Sequence, residues 1–465
     1  MEERGFQVNG QETQASNTKK KFSDRENKGK IEDILNPNIT VYKNSANTFK
    51  RCEINLIPDK QVESYRYMYQ MRILEALDDR FSNLSTILKD HYNLEISDAF
   101  HINRDEIHTV GRICCDSEGN LNTESVLLEI PEKRNRLRLS FDGLKSFSLF
   151  SGQIVGVEGT NSTGNHLNMS RIFEIPLLPM CKTPSSELIE YNYGQEKLNG
   201  NPLNIVIAAG PFTFNNGFEY EPFKELLSKV NQDKPDLLIL LGPFVSEDHL
   251  LLKEGKTSKT PGEIFKECII DELCKVTNVS IVLVPSTKDL FHPFVFPQSP
   301  FPKHVLSKNV ICVSNPAQFR VNEITFAIDN VDILFHLINN AIERIDGNAK
   351  PGLDRMGRLS RHILTQRHLY PLFPTYEEVN LEFKKSSYLE LQQLPDVLIL
   401  PSKLKSFAKV VENVICINPG YLSRDESAGT YAKMTIHPLP KTLIKEDQLI
   451  ENSVFKRTRV EIIKI

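Results

Sequence analysis

The chain has 465 residues, of which 40% are hydrophobic and 25% are charged, and its formal net charge is −4. This length fits two or three domains of ordinary globular composition, and the acidic balance excludes a global electrostatic attraction to nucleic acid. An apolar signal region and a run of about 18 apolar residues are both missing, so neither secretion nor a membrane span is predicted.

The first 57 residues are rich in Asn, Lys, Glu, Ser and Gln and poor in apolar residues. Such a segment buries too little surface to offset its ordering entropy, so we predict that residues 1–57 are disordered. Lys19, Lys20 and Lys21 form a short basic run. A solvated charge cluster is favoured over a nuclear import signal for so short a run.

Residues 58–92 are predicted to form a helix that packs on the body of the protein. Apolar residues recur there at spacings of three and four, which is typical of one helical face. The face consists of Tyr65, Met68, Met71, Leu74, Leu77, Phe81, Leu84 and Leu88.

Residues 93–182 contain short apolar runs separated by turn residues, which predicts a small all-β barrel. The oligonucleotide-binding (OB) fold is the leading candidate. Its basic stretch of Lys133, Arg134, Arg136 and Arg138 suits a phosphate backbone, but aromatic side chains for base stacking are few nearby. A structural barrel is therefore favoured over a single-strand binder, which stays open. Residues 183–202 are polar and turn-rich and are predicted to be a linker.

From residue 203 to residue 465, apolar runs rich in Val, Ile and Leu alternate with amphipathic stretches. Continuous runs of this kind predict strands buried on both faces of a layered α/β domain. The runs include LNIVIAAG, DLLILLGPF, SIVLVPST, NVICVSNP, ITFAIDN, DVLILPS and NVICINPG. The stretches FEYEPFKELLSKV and GEIFKECIIDELCKV fit the intervening helices, and SVFKRTRVEIIKI predicts a last strand.

Catalytic or ligand-binding residues are expected in the loops after these runs, because ligands of open α/β sheets bind beyond the carboxyl ends of the strands. The loops hold Gly210-Pro211-Phe212-Thr213, Gly242-Pro243-Phe244-Val245, Pro285-Ser286-Thr287, Ser314-Asn315-Pro316, Pro401-Ser402-Lys403 and Asn418-Pro419-Gly420. None matches a phosphate-binding glycine motif, and a proline cannot donate a backbone hydrogen bond. No GxSxG sequence occurs, so Ser286 is interpreted as a turn serine.

Metal ligands are sparse in the same loops. The eight cysteines contain no CxxC spacing, so a zinc ribbon is not expected, and we interpret them as reduced. A metal-dependent hydrolase needs carboxylates and histidines converging from several strand ends. Asp248, His249, Asp289 and His292 lie further along the loops. We expect them to be solvated and expect no metal or cofactor, and an active phosphoesterase with these shifted ligands is kept as an alternative.

The order of the segments AAGPFT, LLGPFV, VPSTKDLFHPFVFPQSPFP, VSNPAQFRVNEITFAI and DVLILPSKLKSFAKVVENVICINPG resembles the B-subunit family of the DNA polymerase alpha–primase complex. The resemblance covers residues 61–465. That family pairs an OB fold with an inactive calcineurin-like phosphoesterase domain, a layered α/β sandwich, so the resemblance implies both here. Its N-terminal helical module is not expected in residues 1–57.

The resemblance also implies which loops have degenerated. Gly210, Pro211 and Phe212 then stand where active phosphoesterases have Asp-x-His, and Gly242-Pro243 replaces Gly-Asp. Pro285-Ser286 replaces the start of Gly-Asn-His, and Pro401-Ser402 replaces the start of Gly-His-x-His, whereas the turn beginning at Asn418 is retained.

The function that the resemblance implies is that of a non-catalytic, nuclear accessory subunit. It would bind the C-terminal domain of the polymerase catalytic subunit and link it to primase for RNA–DNA primer synthesis at the initiation of replication. Telomere-maintenance factors, through telomere C-strand synthesis, are further partners that the resemblance leaves open. Contact with nucleic acid is expected to be weak or indirect, and no membrane contact is expected.

Two segments are candidates for partner contact. The loop FHPFVFPQSPFP carries Phe291, Phe294, Phe296 and Phe301, which fit either a protein interface or the core of their own domain. Residues 354–374 are basic, with Arg355, Arg358, Arg361 and Arg367. A charged helix face is favoured there over an interface or nucleic-acid contact.

Overall fold

The computed structural model describes residues 22, 25–41, 50–62, 73–117, 119–131, 135–302, 309–346 and 353–465. The described strands are β1 (Ile31–Leu35), β2 (Ile54–Leu56), β3 (Asn103–Cys115), β4 (Val126–Ile130), β5 (Asn135–Ser140), β6 (Phe147–Phe150), β7 (Ile154–Asn161), β8 (His166–Phe173), β9 (Lys182–Pro184), β10 (Leu203–Ala209), β11 (Leu237–Leu241), β12 (Ser280–Val284), β13 (Val310–Cys312), β14 (Ala317–Val321), β15 (Ile324–Ile328), β16 (Ala341–Arg344), β17 (Val397–Ile399), β18 (Phe407–Val411), β19 (Val414–Asn418), β20 (Ser423–Arg424), β21 (Ser427–Ala428), β22 (Thr430–Ile436), β23 (Leu449–Glu451) and β24 (Thr458–Lys464). The described α-helices are α1 (Ile73–Tyr92), α2 (Ser185–Tyr193), α3 (Glu221–Asp233), α4 (Leu250–Lys253), α5 (Pro261–Phe265), α6 (Asp271–Leu273), α7 (Ile333–Asn340), α8 (Arg355–Thr365) and α9 (Val454–Arg457).

Five strands close into a barrel in the order β3-β4-β5-β8-β7. Strands β5 and β8 run parallel, and the other pairs are antiparallel. Alternate residues point inward and fill the barrel with buried apolar side chains such as Ile113, Leu128, Val157 and Leu167. A closed five-stranded barrel of this topology is the OB architecture, so the predicted barrel is confirmed.

Helix α1 packs on the outside of this barrel, as its apolar face predicts. Phe81, Leu84 and Leu88 form a cluster with barrel residues that include Val110 and Phe173. Leu74 departs from the predicted face, because 59% of its surface is exposed. Tyr65, Met68 and Met71 lie outside the described residues.

The rest of the chain forms a sandwich of two sheets. The first has seven strands in the order β1-β24-β22-β10-β11-β12-β13, and the second has six in the order β18-β19-β17-β15-β14-β2. In β10, Leu203, Ile205 and Ile207 face the second sheet, whereas Val206 and Ala208 face the helical layer. Both faces of the strand are therefore buried, as its uninterrupted apolar run predicts.

Helices cover both outer faces of the sandwich. Helices α3, α5 and α6 lie on the seven-stranded sheet, and α7 and α8 lie on the six-stranded sheet. A π-helical turn at Lys266–Ile270 joins α5 to α6, so the predicted helix there is continuous. The layered α/β sandwich is confirmed. No helix in the described part of the chain is both long enough and apolar enough to cross a bilayer.

The basic stretch at residues 354–374 joins the sandwich to the barrel. Strand β16 pairs with β6, and α8 follows β16 along the chain. Arg361 binds Glu174 on the barrel side and Glu412 on the sandwich side, and the Arg367 Nη2 group donates to the Pro176 carbonyl at 2.7 Å. Arg358 pairs with Glu343 at 2.9 Å. These arginines hold the chain's own parts together.

The prediction of disorder over residues 1–57 is wrong for the part that the structure describes. Strand β1 pairs with β24, and β2 pairs with β14. Arg51 is buried, and its Nε and Nη2 atoms each lie 2.8 Å from the Asp236 carboxylate. Backbone pairing and a buried ion pair hold this polar segment, and its few apolar residues, such as Cys52 and Leu35, pack in the core of the sandwich. Lys19, Lys20 and Lys21 lie outside the described residues.

The predicted linker at residues 183–202 is folded against the sandwich. Strand β9 pairs with β23, and helix α2 follows it directly. Leu188 and Asn192 are buried, and the Asn192 Nδ2 group donates to Glu323 at 3.1 Å. Polar composition concealed a helix whose buried amide binds a distant carboxylate. The other predicted domain boundaries stay predictions.

Candidate functional site: a cavity at the strand ends

A cavity of about 480 Å³ lies at the carboxyl ends of the central strands. Six of the loops that follow strands contribute to its wall: those after β10, β11, β12, β15, β17 and β19. Their lining residues include Pro211, Gly242, Ser286, Asn330, Pro401 and Tyr421. Most of the loops singled out from the sequence therefore meet at one place, where α/β enzymes hold their ligands.

The Asp289 carboxylate occupies the centre of the loops after β11 and β12. Its Oδ1 atom accepts hydrogen bonds from the backbone N–H groups of Phe244 at 2.5 Å and Val245 at 3.2 Å. Its Oδ2 atom accepts from the Ser286 N–H at 2.9 Å. Complete burial raises the pKa of Asp289 to about 7, although the three N–H donors oppose this shift. The carboxylate binds one loop to the other.

The glycines of both Gly-Pro turns are required by close packing. A Cβ on Gly242 would overlap the Asp289 carboxylate and the Ser286 backbone, and a Cβ on Gly210 would overlap the Pro243 carbonyl. The peptide bonds from Gly210 to Pro211 and from Gly242 to Pro243 are both cis.

The remaining residues singled out from the strand-end loops also have structural contacts. Phe212 is buried and stacks on Phe244 with 5.2 Å between ring centroids. Asn418 is buried, and its Oδ1 atom accepts from the N–H groups of Ser402 at 3.0 Å and Gly420 at 2.9 Å. The Pro285 carbonyl accepts from the Asn330 side-chain amide at 2.9 Å. These residues shape the loops around the cavity.

The four candidate metal ligands are not brought together. The His249 Nε2 atom lies 3.1 Å from two backbone carbonyls, and the His292 Nε2 atom lies 2.8 Å from the Ser299 carbonyl. Asp248 pairs with Lys253 at 2.7 Å, while Asp289 is bound to backbone. Within the described ranges, no three His, Cys, Asp or Glu side chains are grouped to hold a metal ion.

Charge in the cavity wall is mixed, with an excess of carboxylates. The charged lining residues are Glu247, Asp248, Asp332, Glu378 and Asp425 against Lys288, Lys403 and Arg424. Five carboxylates and three cations give a formal balance of −2 when histidine is neutral. Such a wall repels phosphate groups and attracts cationic ones.

His336 is a lining residue that the sequence did not reveal. It is buried, and its ring stacks on Tyr376 with 4.3 Å between centroids. Burial lowers the pKa of His336 to about 4, so the ring is neutral at physiological pH. The available signal was the polar run of Asp329, Asn330 and Asp332, which directly follows β15 and caps α7.

Two interpretations were open for the four phenylalanines, and for most of them the structure favours the core of their own domain over a protein interface. Phe296 and Phe301 are buried, and Phe291 is partly buried and stacks on Phe265 at 4.3 Å. These rings fill apolar clusters of their own domain. Phe294 alone of the four is exposed, with 49% of its surface accessible, and it lines the cavity.

The basic stretch of the barrel is largely neutralised where the structure describes it. Arg136 lies 3.3 Å from Glu129, which also pairs with Arg112, and Arg138 lies 3.0 Å from Asp116. Lys133 and Arg134 lie outside the described residues. The described arginines are thus engaged within the barrel, which weakens the case for a phosphate-binding surface there.

Comparisons with known proteins give a consistent result. A family model described as the B subunit of DNA polymerases alpha and epsilon matches residues 205–409. A second model, described as the OB domain of the DNA polymerase alpha B subunit, matches residues 74–175.

Three relatives illustrate the similarity, and each is a DNA polymerase alpha B subunit. The protein from Schizosaccharomyces pombe is 33% identical over 94% of this chain and 79% of its own length. The protein from Mus musculus is 32% identical over 83% of this chain and 64% of its own length. The protein from Saccharomyces cerevisiae is 31% identical over 92% of this chain and 69% of its own length. The chain therefore spans slightly less than two thirds of the mouse relative.

Proposed function

The chain belongs to the family of DNA polymerase alpha B subunits, and on that premise we propose that it is a non-catalytic accessory subunit of DNA polymerase alpha–primase. In this role it binds the C-terminal domain of the catalytic subunit and links it to primase during RNA–DNA primer synthesis. The proposal includes a nuclear location. Telomere-maintenance factors belong to it as further partners.

The observation that carries the non-catalytic part is the bonding of Asp289. A hydrolase presents carboxylates at its strand ends to metal ions or substrate. Here the strand-end carboxylate accepts three backbone hydrogen bonds, and Gly242 leaves no room for a side chain between the loops. The polar groups at this edge hold the protein's own loops, which supports a degenerate phosphoesterase with lost metal ligands.

The joint between barrel and sandwich supports the accessory role. Pairing of β6 with β16 and the ion pairs of Arg361 fix the two units to each other. A subunit that holds two partners in a defined arrangement benefits from such a joint, because a preorganised surface loses less entropy on binding.

Co-purification tests the proposal. The full chain is co-expressed with a C-terminal fragment of the catalytic subunit, and the complex is sized by chromatography with light scattering. We expect the chain and the fragment to form a one-to-one complex. The polymerase domain, supplied without the fragment, should form no complex with the chain. Failure of the fragment to associate at micromolar concentrations would refute the proposed assembly.

The exposed Phe294 provides a more local test of the binding surface. We expect Phe294→Asp to weaken association with the fragment, because an exposed aromatic ring beside a cavity is a typical interface anchor. The matched control is Leu443→Asp, since Leu443 is similarly exposed at 58% but does not line the cavity. If the two variants bind the fragment with equal affinity, the surface around Phe294 is not part of the interface.

Two rival functions have distinct readouts. Stoichiometric manganese, iron or zinc in the purified chain, together with turnover of a phosphodiester, would establish an active phosphoesterase. Salt-dependent binding of a short single-stranded oligonucleotide by the full chain would establish the barrel as a nucleic-acid binder. We expect neither.

A further inference from the structure

We propose that the strand-end cavity is a receptor for an extended peptide segment bearing a Lys or Arg side chain. The segment comes from the C-terminal domain of the catalytic subunit, so the inference rests on the proposed function and names the chemistry of its contact. Three observations carry it: an unpaired carboxylate, a buried hydrogen-bond donor, and a free aromatic ring, all in the wall of one cavity.

The unpaired carboxylate belongs to Glu247. Its neighbours already have cationic partners, because Asp248 pairs with Lys253 and Glu378 lies 3.2 Å from Lys288. The half-buried Glu247 side chain forms no ion pair or hydrogen bond within the described residues. Burial, and then the nearby charge of Asp248, raise the pKa of Glu247. A cation in the cavity relieves both effects by balancing this negative charge.

The buried donor is the imidazole of His336. The Tyr376 N–H donates to the Tyr370 hydroxyl at 3.2 Å, so the hydroxyl proton is free to be donated to the His336 Nδ1 atom, also at 3.2 Å. In the tautomer in which the hydroxyl donates to Nδ1, the ring proton is on Nε2. Among the described residues no acceptor is found for Nε2, and His336 lines the cavity. A donor in this position is satisfied by the carbonyl oxygen of a bound peptide.

The free ring is that of Phe294. The other exposed-edge aromatic of the wall, Phe335, already carries the Lys403 ammonium 3.3 Å from its centroid. Phe294 has no such cation among the described contacts and stays half exposed at the cavity rim. The aliphatic stem of a Lys or Arg side chain packs well on such a ring, with its charged head directed at a carboxylate.

The same wall disfavours other ligand classes. Its formal charge of −2 opposes the phosphates of a nucleotide or an oligonucleotide. A divalent metal requires several converging ligands, and the described residues supply no such group. The volume of about 480 Å³ lies within the range of ligand cavities and admits one long side chain with its flanking backbone.

The test compares two pairs of substitutions in the full chain. Glu247→Gln/Glu378→Gln removes two charges from the cavity wall, and Glu254→Gln/Glu267→Gln removes two exposed charges that do not line it. Affinity for the C-terminal fragment is measured by titration calorimetry. We expect roughly tenfold weaker binding for the cavity pair and less than about twofold change for the control pair.

A charge-reversed form, Glu247→Lys/Glu378→Lys, should weaken binding further. Alanine substitution of each Lys and Arg of the fragment should identify one cation whose removal weakens binding to the wild type but not to the cavity pair. Equal affinity of the cavity and control pairs, with no such coupled cation, overturns the inference and leaves the proposed function intact. No binding of the fragment by the wild type overturns both.

Discussion

The side-chain amide of Gln366 forms two hydrogen bonds with the backbone of Ile154. Its Nε2 atom donates to the carbonyl oxygen at 2.9 Å, and its Oε1 atom accepts from the N–H group at 3.0 Å. Ile154 begins strand β7 of the barrel, and Gln366 ends helix α8 of the sandwich. One buried amide therefore satisfies backbone groups of the other unit.

Replacing Gln366 by Ala should lower the free energy of unfolding by about 2–3 kcal/mol, because both backbone groups of Ile154 are left buried without a partner. The measurement is equilibrium denaturation in urea. Gln392→Ala is the matched control, since Gln392 is exposed, and should change stability by less than about 0.5 kcal/mol. Similar stabilities of the two variants would show that the joint does not depend on this amide.

Gly242→Ala should destabilise the protein by about 2–4 kcal/mol, because the added Cβ overlaps the Asp289 carboxylate and the Ser286 backbone. Gly262→Ala is the control, since nothing lies within 4 Å of its Cβ position and it sits in helix α5. The control should be neutral or slightly stabilising. Thermal unfolding distinguishes the two variants, and an unchanged melting temperature for Gly242→Ala would contradict the packing described.

Arg51→Ala should cost about 3–5 kcal/mol of stability, because it leaves the Asp236 carboxylate buried without its charge partner. The neighbouring pair of Lys197 and Glu53 is partly exposed, so Lys197→Ala should cost less than about 1 kcal/mol. Urea denaturation measures both values. A small cost for Arg51→Ala would mean that the amino-terminal segment is held by its strands alone.

We expect the free energy of unfolding to decrease below pH 6.5, and we expect His362 to account for part of this decrease. This histidine is buried beside Phe150 and the Ser148 hydroxyl, and burial, then the charges of Arg361 and Arg358, lower its pKa to about 4. The folded-state pKa lies below the unfolded value of about 6.5, so the stabilisation is complete above pH 6.5 and is lost as the pH falls towards 4.

The variant His362→Gln isolates this effect, because all other titrating groups are shared with the wild type. At pH 7.5 the variant should be less stable than the wild type. At pH 5 the difference should shrink by about 2 kcal/mol, since only the wild type then has a ring that takes up a proton on unfolding. A stability difference that is independent of pH would show that His362 is solvated in the folded protein.

Much of the fold follows from apolar pattern. Uninterrupted runs such as that of β10 have no other stable environment than between two layers, and the 3.6-residue period of α1 marks the face that packs on the barrel. Strand β1 carries no such signal. Its residues are exposed or half-buried, and its place depends on backbone pairing with β24. Main-chain hydrogen bonds do not depend on side-chain type, so the composition of such a polar segment predicts disorder even where the segment is paired.

The site was predictable in its location but only partly in its contacts. The order of loops brings the strand ends to one edge, as the sheet topology requires. Arg51 is buried because it pairs with Asp236, which is distant in the sequence, and Asp289 is buried because backbone N–H groups bind its carboxylate. Neither partner can be read from the residue type. Phe294 and Phe301 belong to one loop of similar composition, yet one is exposed and the other is buried. Only the path of the loop separates them.

Strand β24 lies between β1 and β22 but is synthesised last, so the seven-stranded sheet is completed only at the end of synthesis. The Asn36 side chain donates to the Thr458 carbonyl, 422 residues further along the chain. Synthesis of the intervening residues takes roughly 20–80 s, and during this time β1 has no strand to pair with. A chain stalled before β24 leaves β22 with an unpaired edge, and such an edge is a template for aggregation. Truncation before β24 therefore exposes hydrogen-bonding groups in the interior of the sheet, because the missing strand lies between β1 and β22.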